Sequence, residues 1–519
     1  ALTAEQIATA GQVIGLVFTP EELKLLRPGV SDSLESFQRL QKLPLPNGLA
    51  PAFRFTPLVP GVQLRMKRLP AADPRLPEIE RPADLEDLAF ASIPELAALI
   101  RARKISCLEL ARMYLARLKR LDGQLHCVIT FTEERALAQA RRLDQELDAG
   151  KYRGLLHGIP WGAKDLLAVR GYPTTWGAEP FKDQVIDLDA AVVERLDRAG
   201  AVLIAKLTLG ALAWGDVWYG GKTRNPWKPE QGSSGSSAGP ASATAAGAVA
   251  FSIGSETLGS IVSPSTRCGC SSLRPTFGRV SRYGAMALSW TMDKLGPLCR
   301  SARDAAIVFR AIQGKDARDI DSSGFPFEIP APADLHGWRI GVPKEAFKRF
   351  PKDKHVLDEL KALGAEIVEV ELPDYPANDL TLILSCEAAS AFDGLTRSGR
   401  DDLMVRQIEQ AWPNVFRTAR LVPAVEYLRA TRLRTDLMRA MDRSMQGIVA
   451  LVHPSFASGV LTITNLTGHP TVVVPCGFND DGTPRSISFT GQLYGEERLL
   501  ALARAWQAST GYHKKHPGL

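Results

Sequence analysis

Apolar positions along this chain follow two periods, and their alternation predicts its elements. Residues 4–17 and 20–26 carry apolar side chains at helical spacing, with Thr3 and Gln6 placed as a capping box, so residues 1–45 read as helical. A Pro-rich stretch follows, from Leu43-Pro44-Leu45-Pro46 to Val59-Pro60-Gly61, and reads as an extended strap. From about residue 85 the pattern alternates. Residues 93–121, 133–149 and 190–199 predict amphipathic helices, and the run Ala201-Val202-Leu203-Ile204-Ala205 predicts a buried strand. The same helix-to-strand junction recurs at 363–370. Residues 239–250 predict a helix of small side chains. Strands are predicted at 249–254, 338–343, 471–475 and 486–489, and a closing helix at 496–510. Residues 376–448 read as mainly helical. Helices alternating with short buried strands define an α/β protein.

Composition narrows the partners. The 519 residues suffice for a large core, and 45% apolar with 23% charged residues is a globular balance. A net charge of +6 over this length is weak, and no run of five Lys or Arg occurs, so no nucleic acid partner is expected. No apolar stretch reaches the roughly 18 residues a membrane span needs. Seven cysteines, an odd and small number, argue against a disulfide framework. Cys268 and Cys270 lack a second Cys or His pair nearby, so packed thiols are expected rather than a metal site. The chain opens Ala1-Leu2-Thr3 without a basic or apolar leader. Low cysteine use favours the cytoplasm, while export after removal of a targeting peptide stays open.

Three segments carry candidate chemistry. The run Gly232-Ser233-Ser234-Gly235-Ser236-Ser237-Ala238-Gly239 leads straight into a predicted helix. It reads either as a flexible loop or as a cradle of backbone N–H groups for negative charge. Gly254-Ser255-Glu256-Thr257-Leu258-Gly259-Ser260 follows a short apolar strand. A tight turn there is either ordinary or one that exposes a hydroxyl among stacked N–H groups, as an oxyanion hole requires. Lys164 sits in apolar surroundings, Ile159-Pro160-Trp161-Gly162-Ala163-Lys164-Asp165. Its amine either reaches out to solvent or is buried and kept neutral enough to act as a base.

Taken together, these segments resemble the amidase signature family. Gly158-Ile159-Pro160 with Lys164-Asp165 matches its lysine motif, and Gly235-Ser236-Ser237-Ala238-Gly239 matches its serine loop with Ala238 in place of a Gly. The resemblance also takes in Thr223-Arg224-Asn225-Pro226-Trp227, Leu273-Arg274-Pro275 and Thr464-Asn465-Leu466-Thr467-Gly468-His469-Pro470. It implies Ser260 as nucleophile, Ser236 on a cis peptide as proton relay, and Lys164 as base. The N–H groups of Thr257, Leu258, Gly259 and Ser260 would form the oxyanion hole. It further implies one large domain over residues 76–519, with a central mixed, twisted sheet covered by helices on both faces. The helical arm and strap of residues 1–75 precede that domain, and an arm of this kind is compatible with a homodimer.

Two departures shape the expected substrate. Leu258 stands where the family usually has Gly, and no Arg follows Ser260 in Ile261-Val262-Ser263-Pro264, which disfavours a carboxylate-bearing substrate. Trp161, Trp214 and Leu258 are the expected pocket residues, with core packing the competing reading for each Trp. The expected activity is hydrolysis of small apolar or aryl amides through an acyl-enzyme, without metal or organic cofactor, with esters and carbamates as side substrates. The alternative is the glutamine-hydrolysing subunit of a tRNA-dependent amidotransferase, disfavoured by the N-terminal extension and the missing Arg. A Gly-x-Ser-x-Gly nucleophile elbow at 235–239 is disfavoured because no strand precedes it. A non-catalytic binding protein is disfavoured by the three retained residues.

Overall fold

The computed structural model describes residues 2–66, 68–73, 75–457 and 459–519. Of the expected arm and strap, Ala1, Lys67 and Pro74 lie outside the described residues. The arm is a helix pair, α1 (Ala4–Val13) and α2 (Pro20–Leu40). Thr3 with Gln6 and Thr19 with Glu22 form the two capping boxes that start them. α1 stops short of residue 17, while α2 continues through Pro28 far beyond residue 26. None of the α2 side chains is buried, and Leu25 is 80% exposed.

The described residues of 41–75 then run along the body on a few anchors. The Asn47 side chain donates to the Ala287 carbonyl at 2.9 Å and accepts from the Ala287 N–H at 2.7 Å. Phe55 packs edge-on to Phe277, and Arg65 and Arg68 pair with Asp442 and Glu497.

The single helix expected over 93–121 is two, α3 (Ile93–Arg101) and α4 (Cys107–Leu125). Ser106 and Glu109 form a capping box that starts a new helix, and Arg103 turns the chain at a positive φ of 56°. Then come β1 (Val128–Phe131), α5 (Glu133–Asp148), β2 (Pro160–Lys164), α6 (Ala191–Ala199) and β3 (Val202–Leu207). The middle of the chain forms α7 (Ala238–Ala245), β4 (Phe251–Glu256), α8 (Val262–Cys268), β5 (Ser271–Arg274), β6 (Lys294–Cys299) and α9 (Ala302–Ile312). Next are β7 (Arg339–Pro343), α10 (His355–Ala362) and β8 (Glu366–Val370). A helical stretch follows: α11 (Leu382–Ala391), α12 (Asp393–Arg397), α13 (Trp412–Ala419) and α14 (Ala424–Ser444). The chain closes with β9 (Ala450–Pro454), α15 (Val460–Thr467), β10 (Thr471–Phe478), β11 (Pro484–Gly491) and α16 (Glu496–Thr510).

Eleven of these strands make one mixed sheet, ordered β1-β3-β2-β4-β6-β5-β10-β11-β9-β7-β8. The fold is therefore the expected large α/β domain around a mixed sheet. β2 pairs in parallel with both β3 and β4, whereas β6 runs antiparallel to β4 and β5. Five strands escape the hydrophobic pattern: β1, β2, β5, β6 and β9. β2 contains Pro160, Gly162 and Lys164, and β5 reads Ser-Ser-Leu-Arg, yet every residue of both is buried. Central strands covered on both faces need no alternation, and these two carry polar groups that the site uses. The parallel pairing of β2 and β4 brings their C-terminal ends side by side. Lys164 ends β2, and the Thr257–Ser260 turn leaves β4 at the same edge, where open α/β sheets present their ligand sites.

Candidate active site

Each of the three motif residues is placed by a different element. Lys164 is the last residue of β2, Ser236 lies in the loop before α7, and Ser260 lies in the turn between β4 and α8. Lys164 is fully buried. Its Nζ lies 2.9 Å from Ser236 Oγ, 3.1 Å from Ser237 Oγ and 2.8 Å from Ser255 Oγ, with the Ser255 carbonyl at 3.4 Å. Burial pushes the amine well below the usual lysine value, against the opposing pull of Asp293 and Glu256. The Gly235–Ser236 peptide is cis. A Cβ on Gly235 would meet the Gly215 carbonyl oxygen at 1.8 Å, so only glycine fits there.

The serine turn is tied to the loop through its backbone. The Ser237 N–H donates to the Ser260 carbonyl at 3.0 Å. Gly259 takes a φ of +86°, so the left-handed position of the turn falls on a glycine, and Leu258 fills the usual Gly position without a positive φ. Among the described residues, the N–H groups of Thr257, Leu258, Gly259 and Ser260 donate to no partner, and the Ser260 hydroxyl has none either. Backbone donors left free in a turn are what a developing oxyanion needs, and Ser260 itself is only 9% exposed.

A buried ionic network supports this turn from behind. Glu256 accepts the N–H groups of Ile261 and Val262 at 2.8 and 2.9 Å, pairs with Arg274 at 2.8 Å, and accepts from Asn465 at 2.8 Å. Burial pushes its carboxyl up, but Arg274 and Lys294 outweigh that and leave it at about 2. Arg274 also donates to Thr464, the His469 carbonyl and Thr471. The Thr464-to-Pro470 motif therefore acts on the turn through Arg274 and Asn465, both bonded to Glu256. Thr257 donates to Asp293, which also accepts the N–H groups of Leu288 and Ser289. On the lysine side, the Asp165 carboxylate pairs with the fully buried Lys206 at 2.7 Å.

Sequence reasoning missed Ser237, Ser255, Glu256 and Asp293 as parts of this assembly. Ser255 and Glu256 lie within the quoted turn motif, and their polarity at the end of an apolar strand was the available signal. The three expected pocket residues are not brought together. Trp161 is 1% exposed and stacks on Phe251 at 6.0 Å in the core, so the packing reading holds for it. Trp214 lies under the Arg406 guanidinium at 5.1 Å, in a small cavity with Met404 and Trp412. Leu258 is partly exposed at the turn itself. Cys268 and Cys270 are buried free thiols, and no cluster of metal-ligating side chains occurs among the described residues. Nor is any helix among them long and apolar enough to cross a membrane.

A buried lysine, a serine loop and a serine turn therefore share one edge of the sheet. The chain belongs to the Amidase family, whose pattern it matches over residues 109–464. It is 33% identical over 479 residues to a glutamyl-tRNA(Gln) amidotransferase subunit of Thermosynechococcus vestitus, covering 82% of this chain and 99% of that protein. Among solved structures it is similar to the peptide amidase of Stenotrophomonas maltophilia, with a TM-score of 0.74 and 29% identity, covering 82% of this chain and 98% of that one. The corresponding glutamyl-tRNA(Gln) amidotransferase subunit of Thermotoga maritima superposes with a TM-score of 0.68 and 25% identity, covering 84% and 98%.

Proposed function

We propose that the protein hydrolyses the C–N bond of amides through an acyl-enzyme on Ser260. The observation that supports this best is the buried Lys164 amine 2.9 Å from Ser236 Oγ, in a loop bonded to the Ser260 turn. In this reading Ser260 Oγ attacks the amide carbonyl carbon, and its proton passes through the Ser236 hydroxyl to the neutral Lys164 amine. The carbonyl oxygen takes up negative charge facing the N–H groups of the Thr257–Ser260 turn. Collapse breaks the C–N bond, the proton returns to the departing nitrogen, and ammonia or an amine leaves. Water then adds to the acyl-enzyme ester by the same proton route and releases the acid.

A second reading concerns the substrate. The curated relatives are amidotransferase subunits of 31–34% identity, which favours glutamine as the amide and partner subunits as the setting more strongly than the sequence motifs do. The residues after Ser260 favour the first reading, because Val262 is buried and no Arg stands beside the nucleophile. Ammonia release by the isolated chain separates the two. Turnover of apolar primary amides or anilides, with glutamine untouched, supports the stand-alone amidase. Turnover of glutamine alone supports the role within an amidotransferase. Hydrolysis of any of them by Ser260→Ala at the parent rate removes both.

A further inference from the structure

Thr257 to Ser260, whose N–H groups have no partner among the described residues, lie between two buried carboxylates. Glu256 grips the far end of this turn, through the N–H groups of Ile261 and Val262. Asp293 grips the near end, where its Oδ1 accepts the Thr257 hydroxyl at 2.6 Å. Its Oδ2 accepts the N–H groups of Leu288 and Ser289 at 2.8 and 3.0 Å.

The two grips are balanced differently. Glu256 faces the Arg274 guanidinium at 2.8 Å. Asp293 is 9% exposed and forms no ion pair among the described residues, because the nearby Arg282 pairs with Asp319 and Asp321 instead. Burial pushes the Asp293 carboxyl up despite its three hydrogen bonds. A buried carboxylate without a cation costs stability, so its use lies in the donors it fixes.

The loop that presents Asp293 is itself clamped. Ser289 and Thr291 donate their hydroxyls to Glu387 of α11 at 2.6 and 2.8 Å. Arg434 of α14 donates to the Thr291 carbonyl at 2.9 Å. The anchor on Thr257 is therefore fixed to two helices and does not drift with the turn.

We infer that Asp293 is a positioning residue for the proposed hydrolysis: through the Thr257 hydroxyl it holds the free N–H groups of the turn where the oxyanion forms. The inference rests on that reading, in which Ser260 attacks and the turn receives the charge. Donors aimed in advance act when charge develops, so loss of their aim slows the chemical step and leaves binding intact.

The test follows phosphonylation by a fluorophosphonate, with thermal unfolding to verify each fold. Ser260 Oγ bonds to phosphorus, fluoride leaves, the hydroxyl proton passes to Lys164, and the phosphonyl oxygen gains charge at the turn. The maximal rate and the half-saturating concentration are read separately. Thr257→Val should lower the maximal rate at least about tenfold with half-saturation kept. Thr257→Ser, which restores the hydroxyl, should recover most of that loss. Asp293→Asn keeps an acceptor for the loop and turns an amide donor to Thr257. It should slow the parent about fivefold but slow Thr257→Val by less than about twofold, because the route through the hydroxyl is already gone. A rate for Thr257→Val within about twofold of the parent would overturn the inference. So would Thr257→Ser as slow as Thr257→Val, or Asp293→Asn slowing the parent and Thr257→Val by one factor. If Asp293→Asn does not fold, the two Thr257 variants still decide. Labelling absent from the parent, or undiminished in Ser260→Ala, is a different result: it removes the proposed reaction itself and the inference with it.

Discussion

The edge of the sheet around Lys164 and the arm formed by α1 and α2 are built by opposite means. Around the site, ionisable groups are buried and each is tied to its partners: Lys164 to three serines, Glu256 to Arg274, Asn465 and two N–H groups, and Asp165 to Lys206. The arm is held locally by its two capping boxes and leaves large apolar side chains in water, Val17 at 90% exposure among them. Buried charge is tolerated only where its geometry is over-determined, so the first region is rigid and intolerant of change. The arm costs little to alter, because few of its groups depend on one another.

The difference between the two regions should be largest at Lys164. Lys164→Ala should lower kcat at least about a thousandfold with the far-ultraviolet spectrum kept, because the base is lost and only the oxyanion turn remains. Lys206→Met leaves the Asp165 carboxylate buried without its cation. It should cost about 3–5 kcal/mol in denaturant unfolding, and a cost below roughly 1 kcal/mol would show that the pair is not the constraint its burial suggests.

Acid separates the regions further. The Glu256 carboxyl is lower in the folded protein, at about 2, than its ordinary value of 4.5, so it contributes stability above pH 4.5 that is lost as pH falls towards 2. In Glu256→Gln that acid-dependent loss should shrink. The Lys164 amine is also depressed, so its neutral form gains as pH rises through its lowered value. The rate should rise along that acidic limb to a plateau, and pH–rate profiles of kcat/KM would check it. The smallest effect belongs to the arm: Leu25→Ser on the exposed face of α2 should change unfolding free energy by less than about 0.5 kcal/mol.

The same contrast explains what the sequence discloses. Helices with one apolar face, such as α5 and α6, are found where the periodicity puts them. The strands that matter most to chemistry are not, because β2 and β5 replace apolar alternation with Lys164, Gly162 and Arg274. The helix break at Ser106 is written in its capping box and masked by apolar periodicity running across it. Of the site, Lys164, Ser236 and Ser260 are legible because three short motifs converge on one chemistry. Glu256 and Asp293 are not, since their partners Arg274, Asn465 and Thr257 are brought together only by the sheet order. The tryptophans mislead for a related reason: Trp161 is near the motifs in sequence, yet it packs in the core against Phe251 rather than at the turn.

The mechanism stands or falls on Ser260, and not its neighbours in the serine loop, being the group that attacks. Treating the protein with a fluorophosphonate and mapping the adduct by mass spectrometry decides it. One adduct, on the peptide that contains Ser260 and absent from Ser260→Ala, is the expected result. An adduct on Ser236 or Ser237, or undiminished labelling of Ser260→Ala, would contradict it.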